Sequence, residues 1–394
     1  MDYIKITLKP GKEDSFHRFH PWVFSGAIYS FEKQPEEGDI VEVTDHQGNF
    51  IGIGQYQIGS IAVRILTFKP EEINEQFYFK RLQEAYNVRL SLGLLNGEYN
   101  NTCRLVHGEG DNLPGLIIDL YNKTAVMQAH TPGMHYARHQ IAQALKSVLG
   151  NAIDNIYYKS ETTLPYKAEL DAENEYLLGG DAPNIATENG LKFYVDWVRG
   201  QKTGFFVDQR ENRALLERYA HGRSVLNMFC YTGGFSFYAM RGNAKLVHSV
   251  DSSSKAIDLT CKNVELNFPG DNRHQAFAED AFKFLDTMGD QYDLIILDPP
   301  AFAKHKDALR NALQGYRKLN AKAFEKIKPG GILFTFSCSQ VVSKDNFRLA
   351  VFSAAAQSGR NVRILHQLTQ PADHPVNIYH PEGEYLKGLV LYVE

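Results

Sequence analysis

The sequence predicts an α/β protein in which a small N-terminal β-barrel and a middle α+β module precede a doubly wound parallel sheet. Three observations predict it. From about residue 182 onward, strand-like and helix-like stretches alternate, the pattern of a parallel sheet covered on both faces. Before residue 70, short strand-like runs are punctuated by glycine. Between these regions helical and strand patterns mix without alternating. At 394 residues the chain is long for one core, and its length favours roughly two or three domains. The boundaries read from the pattern are 1–70, 71–181 and 182–394.

In the first region Met1–Leu8 alternates like a strand, and Ile40–Val43 and Ile61–Leu66 are the clearest further strands. Asp45–Asn49 is a hairpin connection, and Gly38, Gly48, Gly52, Gly54 and Gly59 suit a strongly curved barrel. Trp22 and Phe24 read as barrel core. In the second region Phe77–Leu92 has helical periodicity, Leu116–Tyr121 and Thr124–Ala129 flank a tight turn at Asn122-Lys123, and a helix over 136–149 precedes a strand over 155–159. Cys103 and His107 lie here with no ligand set nearby and read as structural. In the third region strands end at Phe229, Asp251, Ala278, Asp298 and Ser337, with helices over 235–241, 254–266, 280–287 and 309–326 between them. Pro329-Gly330-Gly331 stops the last helix, and 386–393 is a closing strand.

Composition narrows the class. With 43% apolar and 22% charged residues the chain is that of an ordinary globular protein, and no apolar run approaches a membrane span. The N-terminus lacks the apolar core of a signal peptide. Four cysteines without a C-x-x-C pair argue against structural zinc and fit a reducing, cytoplasmic compartment. The net charge of −4 counts against a generally basic nucleic-acid binder.

The chemistry gathers at the strand ends, where doubly wound sheets place their ligands. Ser224–Phe235 reads as strand, glycine turn and helix start, but Tyr231 stands where a dinucleotide fingerprint needs its first glycine. Asp251 ends the next strand, where an acid accepts hydrogen bonds from ribose hydroxyls. Asp280 follows the third strand, and Asp298-Pro299-Pro300 the fourth. Singly, each acid is a common helix cap. In this order and spacing they describe a class I S-adenosylmethionine-dependent methyltransferase. The expected cofactor-binding residues are Asn227, Tyr231, Thr232, Gly233, Asp251, Asp280, Asp298 and Pro299. Cys338 ends the fifth strand, so a thiol and a carboxylate meet at one cleft. A thiolate and an acid side by side at strand ends can serve as a nucleophile and its partner. Cys338 and Asp298 are therefore the expected catalytic pair. Cys230 is the weaker candidate, expected to pack beneath the cofactor.

Several segments resemble the ribosomal RNA large subunit methyltransferase I family. They are His20–Ala27, Thr203–Arg210, Tyr231–Gly234, Leu297–Phe302, Thr335–Ser339, Ala372–Pro375 and Pro381–Gly388. The resemblance covers nearly the whole chain. It implies an N-terminal PUA-like RNA-binding domain, a middle α+β domain and a Rossmann-like catalytic domain. The activity it implies is formation of 5-methylcytosine in 23S ribosomal RNA from S-adenosylmethionine, by a homodimer. It also implies that Phe206 and Gln209 help close the cofactor or substrate pocket. RNA-facing residues of the first domain are then sought among Lys9, Lys12, Arg18 and His20, and a proton-abstracting base at Glu382 or His374.

Three other readings compete. An enzyme methylating a guanine or adenine nitrogen also uses an Asp-Pro-Pro motif, usually followed at once by an aromatic ring, whereas Ala301 stands there and Phe302 comes next. A uracil carbon-5 enzyme would share the thiol chemistry. An RNA chaperone that kept the fold would need none of the site residues, yet all are present. The acidic balance carries a prediction. Ribosomal RNA binding will lose affinity only gently with salt, because few counterions are released. A titration of log affinity against log salt as steep as that of a strongly basic binder would contradict it.

Overall fold

The computed structural model describes residues 3–165, 170, 173–180, 182–303 and 305–394. Asp181, the expected boundary residue, and Met1 and Asp2 of the expected first strand lie outside them. The chain divides into two units. The first is Met1–Gly190 with Val195–Val207 and Ala372–Gly383; the second is Leu191–Tyr194 with Asp208–Pro371 and Glu384–Glu394.

The first unit holds two hydrophobic cores. One belongs to β1 (Ile4–Leu8), α1 (Asp14–His17), β2 (Trp22–Phe24), β3 (Ile28–Phe31), β4 (Ile40–Thr44), β5 (Phe50–Tyr56) and β6 (Ile61–Thr67). Their sheet runs β2-β6-β5-β4-β1-β3. Alternation places Ile6, Leu8, Val41 and Val43 inside, all fully buried. Gly54 permits the close approach of β6, since a Cβ there would lie 2.3 Å from the Arg64 carbonyl oxygen. Trp22 and Phe24 correct an expectation. Val23 is the buried residue of β2, so its two neighbours face the other way, and Phe24 is 46% exposed.

The second core lies between a five-stranded sheet and its helices. The elements are α2 (Glu75–Ser91), β7 (Thr102–His107), β8 (Leu116–Tyr121), β9 (Thr124–Ala129), α3 (Pro132–Tyr136), α4 (Arg138–Leu149), β10 (Asn155–Tyr158) and β11 (Glu175–Leu178), and β12 (Ile185–Glu188) follows outside this sheet. The sheet order is β11-β10-β9-β8-β7. The turn joining β8 to β9 has Asn122 at φ +55°, a conformation asparagine tolerates. The helix expected over 136–149 is α4, which starts two residues later, and Thr131 and Pro132 start a short helix, α3, ahead of it.

Buried charges tie the returning segment 372–383 to this core. The fully buried Arg89 guanidinium donates to both Asp111 carboxylate oxygens, at 2.5 and 2.8 Å, and to the Asp373 carbonyl at 2.8 Å. The Asp373 carboxylate accepts from the Arg104 amide at 3.0 Å, and Arg104 grips Asp119 with two bonds of 2.8 and 2.9 Å. Thr203 donates to Asp119 at 2.6 Å. A segment 269 residues downstream of Arg104 thus accepts from two of the network's donors.

The second unit holds β13 (Leu191–Tyr194), α5 (Arg210–Tyr219), β14 (Ser224–Met228), α6 (Gly234–Arg241), β15 (Leu246–Asp251), α7 (Ser254–Asn267), β16 (His274–Ala278), α8 (Ala281–Thr287), β17 (Leu294–Leu297), α9 (Leu309–Lys326), β18 (Gly331–Ser337), α10 (Lys344–Ser358), β19 (Val362–Thr369) and β20 (Lys387–Val393). The seven-stranded sheet runs β16-β15-β14-β17-β18-β20-β19, its first five strands parallel. β20 is antiparallel to both neighbours, since it enters from a loop at the carboxyl edge. Leu294–Leu297 are all fully buried, each worth roughly 1.5–3 kcal/mol of apolar burial. One core packs Leu226, Ile295 and Leu333 with α8, α9 and α10; another packs Val225, Ile296 and Phe334 with α5, α6 and α7.

Removing Arg89 while leaving its partners buried will cost about 3–5 kcal/mol. Both tryptophans, Trp22 and Trp197, lie in the first unit, so their fluorescence reports that unit's unfolding. Arg89→Met will shift the urea transition by that amount. An unchanged midpoint would show that the network contributes little.

Candidate active site

The glycine turn after β14 has a strained backbone held by α7 and β15. Phe229, Tyr231 and Gly233 have φ of +57°, +48° and +84°, three left-handed positions within five residues. Two are not glycine, so the surroundings must impose them. The Cys230 amide donates to the Val250 carbonyl at 3.0 Å and the Tyr231 amide to Asp251 Oδ2 at 3.0 Å. From α7, Thr260 Oγ1 donates to the Tyr231 carbonyl at 2.9 Å and Asn263 Nδ2 to the Thr232 carbonyl at 2.9 Å. A Cβ on Gly233 would lie 2.6 Å from Thr260 Cγ2. Packing against α7 and the positive φ thus require this glycine, whatever a ligand requires.

The acids serve the fold as well. Asp251 accepts from the Tyr231 amide and, at 2.9 Å, from the Ser253 amide. Asp280 Oδ1 caps α8, accepting from the Phe282 and Lys283 amides at 3.0 and 3.1 Å. A carboxylate offers about four acceptor sites, so either retains capacity for a ligand. Asn227 donates to Ser236 Oγ at 2.9 Å, and Gln209 accepts from Asn212 at 2.6 Å. Asn227 Oδ1 and Thr232 Oγ1 are buried without a hydrogen-bond partner among the described residues. Buried polar atoms left so are costly, and a polar ligand in this turn would relieve them. Phe206 belongs to the first unit, where the Lys202 ammonium stands 5.1 Å from its ring centroid.

Beyond the neighbouring ends of β17 and β18 lies a pocket of about 300 Å³ lined by Ala301, Ala303, Cys338, Ser339, Val341 and Tyr385. Cys338 Sγ is 4.0 Å from the Pro299 carbonyl oxygen, and Ser339 Oγ donates to the Ala303 carbonyl at 2.6 Å, so the two strand-end loops are joined. Tyr316 sits beneath them, its oxygen accepting from Ser337 Oγ at 2.9 Å. Burial, with Cys338 and Asp298 nearby, pushes its phenol up to about 12, so it stays neutral at working pH. Tyr385 donates to Asp208 at 2.7 Å.

Cys230 is buried, and burial and the nearby Asp251 raise its pKa far above the ordinary thiol range, so it is a poor nucleophile. His374 is fully buried in the first unit, 2.9 Å from Asp373, and Glu382 stands 3.5 Å from His20 and 3.7 Å from His380 in the same unit. Both candidate bases therefore have partners that order the 372–383 segment. Of the candidate RNA contacts, Lys9, Lys12 and Arg18 are exposed, while His20 is half-buried among Trp22, Phe24 and His380. Two pocket neighbours had escaped the sequence reading. Tyr316 looks like any apolar position of an amphipathic helix. Lys387 carries a faint signal, a cation opening an otherwise apolar strand.

The family model for S-adenosylmethionine-dependent methyltransferases matches residues 158–383, and that for PUA-like domains matches residues 6–68. A solved structure described as a methyltransferase complexed with SAH shares the fold, with a TM-score of 0.85 at 23% identity over 99% of this chain and 100% of that one. The fold, the strand-end acids and the matched model define an S-adenosylmethionine-dependent methyltransferase with a PUA-like N-terminal domain. Proteins named ribosomal RNA large subunit methyltransferase I are similar over almost their whole length. The one from Tolumonas auensis is 41% identical, covering 98% of both chains; those from Shewanella amazonensis and Escherichia coli are 40% and 37% identical, covering 99%. The chain belongs to the ribosomal RNA large subunit methyltransferase I family.

The clamped turn carries a prediction. Gly233→Ala will destabilise the second unit by about 1–3 kcal/mol through strain and the Thr260 contact. Adding Thr260→Ser, which removes only Cγ2, will restore part of the loss in urea unfolding followed by circular dichroism. No recovery would mean that the φ angle alone sets the cost.

Proposed function

We propose that this chain transfers a methyl group to carbon 5 of a cytosine in 23S ribosomal RNA, through a covalent adduct with Cys338. The relatives' name supports a large-subunit ribosomal RNA substrate, and the PUA-like domain supports RNA as the partner. The observation that carries the base and atom is the pocket beyond β17 and β18, which has Cys338 in its wall and Asp298 at the adjoining strand end.

Bound S-adenosylmethionine supplies an electrophilic methyl on its sulfonium, and Asn227, Tyr231, Thr232, Gly233, Asp251, Asp280 and Pro299 are the residues proposed to hold it. The Cys338 thiolate adds to carbon 6 of the ring, forming the S–C bond and moving the double-bond electrons to carbon 5. Asp298, in its acid form, donates its proton to ring nitrogen 3, where the displaced electrons would otherwise leave a negative charge, and the neutral enamine that results is nucleophilic at carbon 5. After carbon 5 has taken the methyl, a base, for which a water molecule suffices, takes its proton; those electrons re-form the C5–C6 double bond, the thiolate is expelled, and nitrogen 3 returns its proton to Asp298. Cys338 completes this cycle alone, since Pro300, Ala301 and Phe302, and no second cysteine, stand beside the Asp298-Pro299 motif. The reading of a purine nitrogen target is weakened by Phe302, whose ring packs 4.7 Å from Tyr316.

The test uses large-subunit ribosomal RNA containing 5-fluorocytosine, whose fluorine cannot leave as a proton does. With methyl donor, the wild-type chain will form a complex that survives denaturing electrophoresis, and Cys338→Ser will not. On ordinary RNA that variant will lose about 10³-fold or more of its methyl transfer. Undiminished transfer by Cys338→Ala would overturn the reading and favour a ring-nitrogen target. Mass analysis of the product nucleoside separates cytosine from uracil.

A further inference from the structure

A thiol that must add and leave without a second cysteine needs a neighbour that favours its anion. Lys387 opens β20 and is only 6% exposed. A buried ammonium requires acceptors, and this one donates to the carbonyls of Ser339 and Val342, each at 2.6 Å. In the antiparallel pairing of β18 with β20, Lys387 stands opposite Ser337. It thus brackets Cys338, with its register partner one residue before the thiol and a bonded carbonyl one residue after. The bonds also hold the turn over 339–342 that walls the pocket.

The surrounding charges point the same way. Burial draws the Lys387 amine down to about 8, and among the groups that favour its charged form Cys338 is the strongest. Lys344 of α10 opposes the charge and Glu384 supports it, but these two pair with each other at 2.7 Å. Cys338 and Asp298, after β17, both act on the neutral Tyr316 of α9, and the Asp298 carboxylate opposes a thiolate, which leaves Lys387 as the group that favours it.

We propose that Lys387 is a positioning residue that holds Cys338 as a thiolate and stabilises it again as the leaving group when the adduct collapses. The proposal rests on Cys338 being the nucleophile. At collapse the carbon–sulfur bonding pair returns to sulfur beside the same ammonium.

Iodoacetamide alkylation of the full chain, without RNA or methyl donor, tests it directly. The rate at Cys338 is followed by mass spectrometry of its peptide, which separates it from the exposed Cys261. The wild-type rate will reach half its maximum below the ordinary thiol value of about 8.5. Lys387→Met will raise that midpoint by about one pH unit or more, and Lys387→Arg will stay near wild type. Coincident curves for wild type and a folded Lys387→Met would overturn the proposal. Should that variant fail to fold, by circular dichroism, the wild-type curve decides: a midpoint at or above the ordinary thiol value overturns it. Methyl transfer by Cys338→Ser judges the nucleophile separately. Retained transfer defeats that assignment, whereas lost transfer with coincident alkylation curves defeats only the role of Lys387.

Discussion

The pairing of β17 with β18 is the constraint on which the site depends. Leu294 to Leu297 run parallel to Ile332 to Thr335, so the chain leaves both strands at one edge of the sheet. Asp298 follows directly on one strand and Cys338 on the other. A slip of one residue would turn Thr335 and Ser337 toward the opposite face and carry the thiol with them. Burial on both faces forbids that slip, because β18 is buried along its whole length. The register of the core and the geometry of the thiol are therefore one property.

The same economy governs the glycine turn after β14. Asp251 and Asp280 each satisfy backbone amides that the turn or a helix would leave open. The cap and the ligand-facing reading of these acids do not exclude each other, since one carboxylate has lone pairs for both. Gly233 likewise belongs to the turn itself, wedged against Thr260. A site assembled from such groups is rigid before any ligand arrives, which is what preorganised binding requires.

Much of the second unit was legible in the sequence because its strands are continuous apolar runs and its helices are long and periodic. α9 was read with both ends correct, since Pro329 and two glycines follow it. β19 was missed because its residues alternate weakly on an edge, with only His366 and Leu368 beside Val362 half-buried. The placement of 372–383 was hidden for a different reason. Its anchors, Arg89 and Arg104, lie 284 and 269 residues upstream of Asp373, and a hydrogen bond across such a span leaves no local pattern. Trp22 and Phe24 misled because aromatic residues are apolar by composition, whereas the pleat decides which of them faces in.

By itself the sequence determined the class of the protein, the order of its acids and the candidate thiol, because strand periodicity, turn residues and motif spacing are local properties. Only the tertiary structure decided what surrounds that thiol. Lys387 is 49 positions from Cys338, and antiparallel pairing at the far side of β18 brings it there. Tyr316 arrives from a helix packed beneath the sheet. Long-range strand pairing and helix packing, set by burial rather than by neighbouring residues, brought an ordinary lysine and an ordinary tyrosine to the strand end that carries Cys338.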